Sequence, residues 1–304
     1  MWRACGWLLL ALQLGAGGCH LRRYAIGLVA PTLHDSLKAF ERLNDLEVGR
    51  AAMPGQLATT EGLLISAPDQ PLLLEMVARG WSEYAFGFLE DDLESLPDTP
   101  ESQPRRQILA ARATAAYDRA LEYAVHRLTL ADRHFRVAFA GDLHALDGAL
   151  RKLDKKSAPG LTFAGLALAS AINLNRADPS RVVDLPKAVA ILRRARELAP
   201  GTYYGGPSLV LGIVYARKPA LGGQPDEAKK FFAEAIALTD GKYLLAKVML
   251  ARGYAVAIHD RALYEKILSE VLATPPDFAP EVRLVNELAR RRAARYLADA
   301  DRYF

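Results

Sequence analysis

The sequence predicts an all-α protein in which tetratricopeptide-like helical hairpins pack as a single curved superhelical body. Three observations lead there. Apolar residues recur at three- and four-residue spacing, as at Leu109, Ala113, Ala116, Ala120, Ala124 and Leu128, which gives each segment one apolar face. Proline and glycine punctuate the chain at short intervals: Pro54-Gly55, Pro68 to Pro71, Pro97 to Pro104, Pro159-Gly160, Pro179, Pro200-Gly201, Gly222-Gly223 and Pro275-Pro276. No run alternates apolar and polar residues as a half-buried strand would. These segment lengths give about ten or eleven helices, and residues 45–304 form one domain.

The chain begins with what reads as a lipoprotein signal peptide over residues 1–18. Arg3 is followed by the apolar run Trp7–Leu14 and then by Gly15, Ala16, Gly17 and Gly18. That run falls well short of the roughly 20 residues a membrane-spanning helix needs. Cys19 is therefore the expected lipidation site, and residues 19–44 the anchor and lead-in helix. The implied address is the bacterial periplasm, with the lipid in the inner or the outer membrane. Ala16 stands where such sites usually carry Leu, so ordinary secretory cleavage or an uncleaved anchor remain alternatives. The only other cysteine, Cys5, lies in the segment that would be removed, leaving no partner for a disulfide. A mature chain of about 285 residues can bury roughly three-quarters of its unfolded surface without one.

Further along, two hairpins are written most clearly. The first has Ala188-x3-Leu192-x2-Ala195 followed by Pro200. The second has Leu211-Gly212-x2-Tyr215 and then Ala228-x3-Phe232-x2-Ala235. Small residues at the helix crossing and larger ones between neighbouring hairpins follow the tetratricopeptide pattern, and the proline marks a helix end because it cannot continue the hydrogen-bond ladder. The pattern is imperfect. Ser208 replaces a common Trp, four extra residues fall within Lys218–Gly223, the connection Asn175–Asp184 is long, and Glu270 stands where a small residue is expected. A plain helical bundle with coincidental alanine spacing is the competing reading.

Composition bounds the function. Hydrophobic residues make up 51% and charged residues 24%, ordinary globular values, and no segment after the signal has an uninterrupted apolar run long enough to cross a bilayer. The net charge of +4 comes from interspersed charges with no aromatic-basic stripe, so no nucleic-acid partner is expected. Arg290-Arg291-Arg292 with Arg295, and Glu90-Asp91-Asp92 with Glu94, both read as solvated helix faces. His126 and His134 sit about 12 Å apart along a helix, too far to share a metal. No Gly-x-Ser-x-Gly elbow, Gly-x4-Gly-Lys loop or cysteine pair is present. No metal, cofactor or enzymatic activity is expected.

Aromatic residues offer a candidate ligand or partner surface. Trp81, Tyr84 and Phe88 fall at three- and four-residue spacing on one helix. Tyr203, Tyr204 and Tyr215 surround the start of the second hairpin, Tyr254 follows one helix later, and Arg217 and Lys218 could pair with a ligand carboxylate. The competing reading places these rings in the core and the two cations in a solvated loop.

Beyond single motifs, the chain resembles the T-component lipoproteins of TRAP transporters. The resemblance rests on Pro54-Gly55-Gln56-Leu57, Glu61-Gly62-Leu63-Leu64 and the run Gly80-Trp81-Ser82-Glu83-Tyr84-Ala85-Phe86-Gly87-Phe88-Leu89-Glu90. Asp184-Leu185-Pro186, Leu211-Gly212, Lys218 to Gly223, Lys247-Val248, Tyr254-Ala255-Val256, Asp260-Arg261 and Asn286 extend it over roughly residues 45–304. Phe163 and Leu166 stand where relatives tend to have Trp. The resemblance implies a periplasmic, lipid-anchored accessory component of a tripartite, ATP-independent transporter. It would dock the periplasmic solute-binding protein and pass a small organic acid or apolar ligand. A tetratricopeptide scaffold lipoprotein for envelope assembly, with no ligand, is the alternative. Unburied repeat edges leave a homo-oligomer open.

Overall fold

In a computed structural model, residues 2–217 and 222–304 are described, with residues 2–20 described by their backbone alone. All regular structure among them is helical. The first helix, α1 (Trp2–Glu41), leads into α2 (Leu46–Ser66) and α3 (Pro71–Tyr84), then a π turn over Ala85–Leu89 and the short α4 (Glu90–Ser95). Next come α5 (Gln103–Ala131), α6 (Phe135–Ala140), α7 (Leu143–Leu150), α8 (Ala158–Leu174) and α9 (Pro179–Val182). The last third holds α10 (Leu185–Leu198), α11 (Thr202–Tyr215), α12 (Pro225–Ala237), α13 (Leu244–Leu250), a second π turn over Ala251–Ala255, α14 (Arg261–Ala273) and α15 (Arg283–Ala298). Fifteen α-helices among the described residues exceed the ten or eleven expected. The surplus comes from pieces such as α4, α6 and α9, too short to show an apolar period.

Capping explains where many of these helices start. Asp45 accepts hydrogen bonds from the amides of Glu47 and Val48, Gln70 from Leu72, Asp142 from Ala145 and Asp260 from Leu263. Each satisfies a donor that the first helical turn leaves without a partner.

The middle of the core is α8, which packs against α3, α5, α10 and α11. Lys155–Leu174 is long and apolar enough to cross a membrane by length and average composition, although Lys155, Lys156 and Ser157 leave no uninterrupted apolar run over its full length. Its window is 72% buried inside the protein, however, and that burial accounts for its apolar character. Against it sit Ala188, Leu192 and Ala195 of α10, all with no exposed surface. The second hairpin closes where Gly212 faces Phe232: a Cβ on Gly212 would lie 2.9 Å from the ring, so only glycine lets α11 approach α12 this closely.

The two charge clusters expected at the surface meet inside in part, while Asp92, Glu94 and Arg291 keep 34%, 37% and 37% of their side chains exposed. Arg292 and Asp91 have side chains only 1% and 3% exposed and are 3.3 Å apart. Arg295 reaches Asp91 at 2.8 Å and Glu94 at 3.0 Å, and Arg291 reaches Asp91 at 3.6 Å. The arginines neutralise Asp91, which is what allows Asp91 and Arg292 to be buried. This network joins α4 to α15 and so ties the early part of the chain to its last helix.

Candidate functional site

Between these elements lies a cavity of about 740 Å³, within the range of small-molecule sites. Its walls come from the end of α1, from α3 with its π turn, and from α8, α11, α13 with the second π turn, and α15. Both π turns supply wall residues, Phe86, Gly87 and Phe88 from the first and Arg252 and Gly253 from the second. Such turns widen a helix locally and recur at functional sites. The middle of the wall is apolar, with Leu209, Val210, Ile213, Leu245, Met249 and Leu288. Ile213 keeps 37% of its surface accessible because it faces this space.

One polar group is centred on Arg79 of α3. It pairs with Glu41 at the end of α1 and, at 2.8 Å, with Glu83 one turn on. Tyr203 donates to Glu83 at 2.9 Å and Tyr204 to Glu41 at 3.0 Å. The Arg79 guanidinium lies 5.1 Å from the centre of the Tyr203 ring, and Tyr204 stacks on Tyr243 with 5.1 Å between centroids. Burial works against charge on Arg79, but Glu83, Tyr203 and Glu41 outweigh it and raise its pKa well above the ordinary value. Burial, then the nearby Glu83, pushes the Tyr203 hydroxyl well up, so it stays protonated and remains a donor. One cation between two carboxylates leaves this group with an excess negative charge.

The backbone that presents these tyrosines is unusual. Tyr203, Tyr204 and Gly205 are left-handed in succession, with φ of 49°, 56° and 74°. Each non-glycine residue in that region costs roughly 1–2 kcal/mol. Gly205 is required, since a Cβ there would lie 3.1 Å from the Ala235 Cα. Strain of this kind concentrates where a side chain must be aimed. Here the turn points both hydroxyls at the carboxylates of α1 and α3.

A second polar group lies past the other end of α11. Arg176 follows α8, Arg217 follows α11, and Arg252 sits in the second π turn. Arg176 donates to the side chain of Asn173 at 2.9 Å, and Arg252 lies 4.1 Å from the centre of the Tyr303 ring. Nearby, Tyr117 donates to the buried carboxyl of Glu90. Burial dominates over that hydrogen bond and raises the Glu90 pKa to about 7.

Of the residues singled out in the sequence, Phe88, Tyr203, Tyr204 and Arg217 border the cavity. Trp81 packs elsewhere, donating to Glu61 at 2.8 Å beneath the Arg119 guanidinium. Tyr84 sits between Trp81 and Phe88, with 6.1 Å between ring centres on each side. Tyr215 stacks on Phe231 and accepts a hydrogen bond from Arg193. Tyr254 is buried in the core. Lys218 lies outside the described residues, as does the side chain of Cys19. Sequence reading missed Glu41, Arg79, Glu83, Arg176, Tyr243 and Arg252. The one available signal was the four-residue spacing of Arg79 and Glu83.

Fold and site together define an all-α protein built around a polar-ended, apolar-walled cavity. Residues 42–304 match the TRAP transporter T-component family (TAtT), and the chain belongs to that family. It is thereby an accessory component of a TRAP transporter system. An uncharacterized protein of Treponema pallidum (strain Nichols) is 25% identical over 318 residues, covering 99% of this chain and 98% of its own.

Proposed function

We propose that this protein is a lipid-anchored periplasmic component that carries a small organic acid or apolar ligand in its cavity and exchanges it with a docked solute-binding protein. The observation that carries the reading is the cavity of about 740 Å³, apolar through its middle and polar in two places, within the family's matched span. Sites for small molecules combine these features: apolar walls supply affinity and a few placed polar groups supply orientation. The hairpins α8–α10 and α11–α12, with Ala188, Leu192 and Ala195 buried and Gly212 against Phe232, support a tetratricopeptide-like arrangement around it. Cys19, preceded by four small residues, is the proposed lipid attachment point, and His20 carries no obvious retention signal, leaving either membrane open.

The test is to present residues 20–304 to periplasmic extract of the source organism and identify what is retained. One solute-binding protein at near-stoichiometric amount is expected. Retention of envelope-assembly factors, with no solute-binding protein at any salt concentration, would replace this reading with that of a scaffold.

A further inference from the structure

We propose that Arg176, Arg217 and Arg252 form an anion site at one end of the cavity, taking the carboxylate head of an elongated organic acid whose apolar body lies along α11. This rests on the cavity holding a ligand, as proposed above. Five arginines border the cavity. Arg79 is held by Glu41 and Glu83, and Arg292 by Asp91. Among the described residues, Arg176, Arg217 and Arg252 have no carboxylate within 4.0 Å. Residues 1–20 and 218–221 contain no Asp or Glu, so the remainder of the chain supplies none either.

Three cations from three separate elements repel one another unless an anion joins them. Their proximity is felt at Arg176, where burial, followed by the like charges of Arg217 and Arg252, lowers the pKa from its ordinary value. Although much of the Arg176 side chain is solvent-accessible, it borders the cavity, so accessible surface and partial burial are compatible there. Glu90 and Glu94 also border the cavity and act through space on Arg176 and Arg252 respectively, but neither forms an ion pair with these arginines. Glu90 is satisfied by Tyr117, and Glu94 is engaged by Tyr296 at 2.7 Å and Arg295 at 3.0 Å. Guanidinium groups suit carboxylates because their planar donors match two oxygens at once.

Helix geometry sets the shape of the occupant. Tyr203 and Tyr204 open α11 and Arg217 follows its end, while Tyr243 precedes α13 and Arg252 follows it. At the rise of an α-helix, the regular part of α11 after its left-handed turn and the span from Tyr243 to Arg252 each cover about 14 Å, with apolar wall between the two polar groups. An acid with a body of about ten carbons spans most of that length.

Calorimetry with decanoate and with 1-decanol on residues 20–304 separates the possibilities. Decanoate is expected to bind at least tenfold more tightly. Arg176→Gln and Arg217→Gln, which break no ion pair, are each expected to weaken decanoate binding about tenfold and to leave decanol unchanged, with unaltered circular dichroism. Equal affinity for the two probes, or discrimination that survives the double variant, would overturn the arginine site while leaving a ligand-holding cavity in place. Failure of every acid and alcohol from six to fourteen carbons to bind would overturn both.

Discussion

Asp91 and Arg292, 201 positions apart in the chain, meet in the interior at 3.3 Å. Arg292 also donates to the Phe86 carbonyl at 2.7 Å and lies 4.1 Å from the centre of the Phe86 ring, which itself borders the cavity. The ion pair thus fixes one wall of the site as well as joining α4 to α15. Removing one partner of a buried pair leaves an uncompensated charge, at a cost of about 3–5 kcal/mol. Asp91→Ala should lose stability of that order in urea titration. Asp118→Ala, which removes a half-exposed pair with Arg181, should lose only about 0–1 kcal/mol. Equal losses would show that the buried pair has no special role.

Glu90 predicts a pH signature. Its folded pKa is about 7, against an ordinary value of 4.5. The native state therefore holds this proton more tightly than the unfolded chain does. From this group, stability falls as pH rises from about 4.5 to 7 and levels off above, by roughly 3 kcal/mol in total. Glu90→Gln cannot ionise and should remove that decline. Urea midpoints compared at pH 5 and pH 8 for wild type and variant check it; parallel behaviour of the two would contradict the assignment.

The left-handed turn predicts a third effect. Gly205→Ala must place a Cβ against the Ala235 backbone at a φ of 74°. The expected loss is roughly 2–4 kcal/mol, combining backbone strain with overpacking. Gly201→Ala is the control, since nothing lies within 4 Å of the Cβ it would add. Thermal melts of both variants distinguish local geometry from a general intolerance of substitution in this loop.

Much of the helical architecture was legible because periodicity and punctuation are local. Ala188, Leu192, Ala195, Ala228, Phe232 and Ala235 all read as packing positions and all are fully buried. Asp91 and Arg292 were misread as solvated because each has its partner far away in sequence: nothing near Glu90-Asp91 announces Arg292. For the same reason the site was legible only in part. Tyr203 and Tyr204 were visible as aromatics near a hairpin, but Glu41 and Arg79 acquire meaning only when α1 and α3 meet α11. The π turns add a further layer. They bring Phe86 and Arg252 to the cavity from helices whose regular spacing does not predict it.

The most direct test of a ligand-holding cavity is native mass spectrometry of residues 20–304 purified from the source periplasm, beside Ile213→Trp. Ile213 faces the cavity with 37% of its surface accessible, so the indole fills space that the ligand would occupy. Wild type should carry a small molecule that leaves on activation, and the variant, with unchanged circular dichroism, should fly as bare protein. Bare protein in both cases, even after incubation with an organic extract of the source cells, would contradict the account. So would the same small molecule retained equally by both.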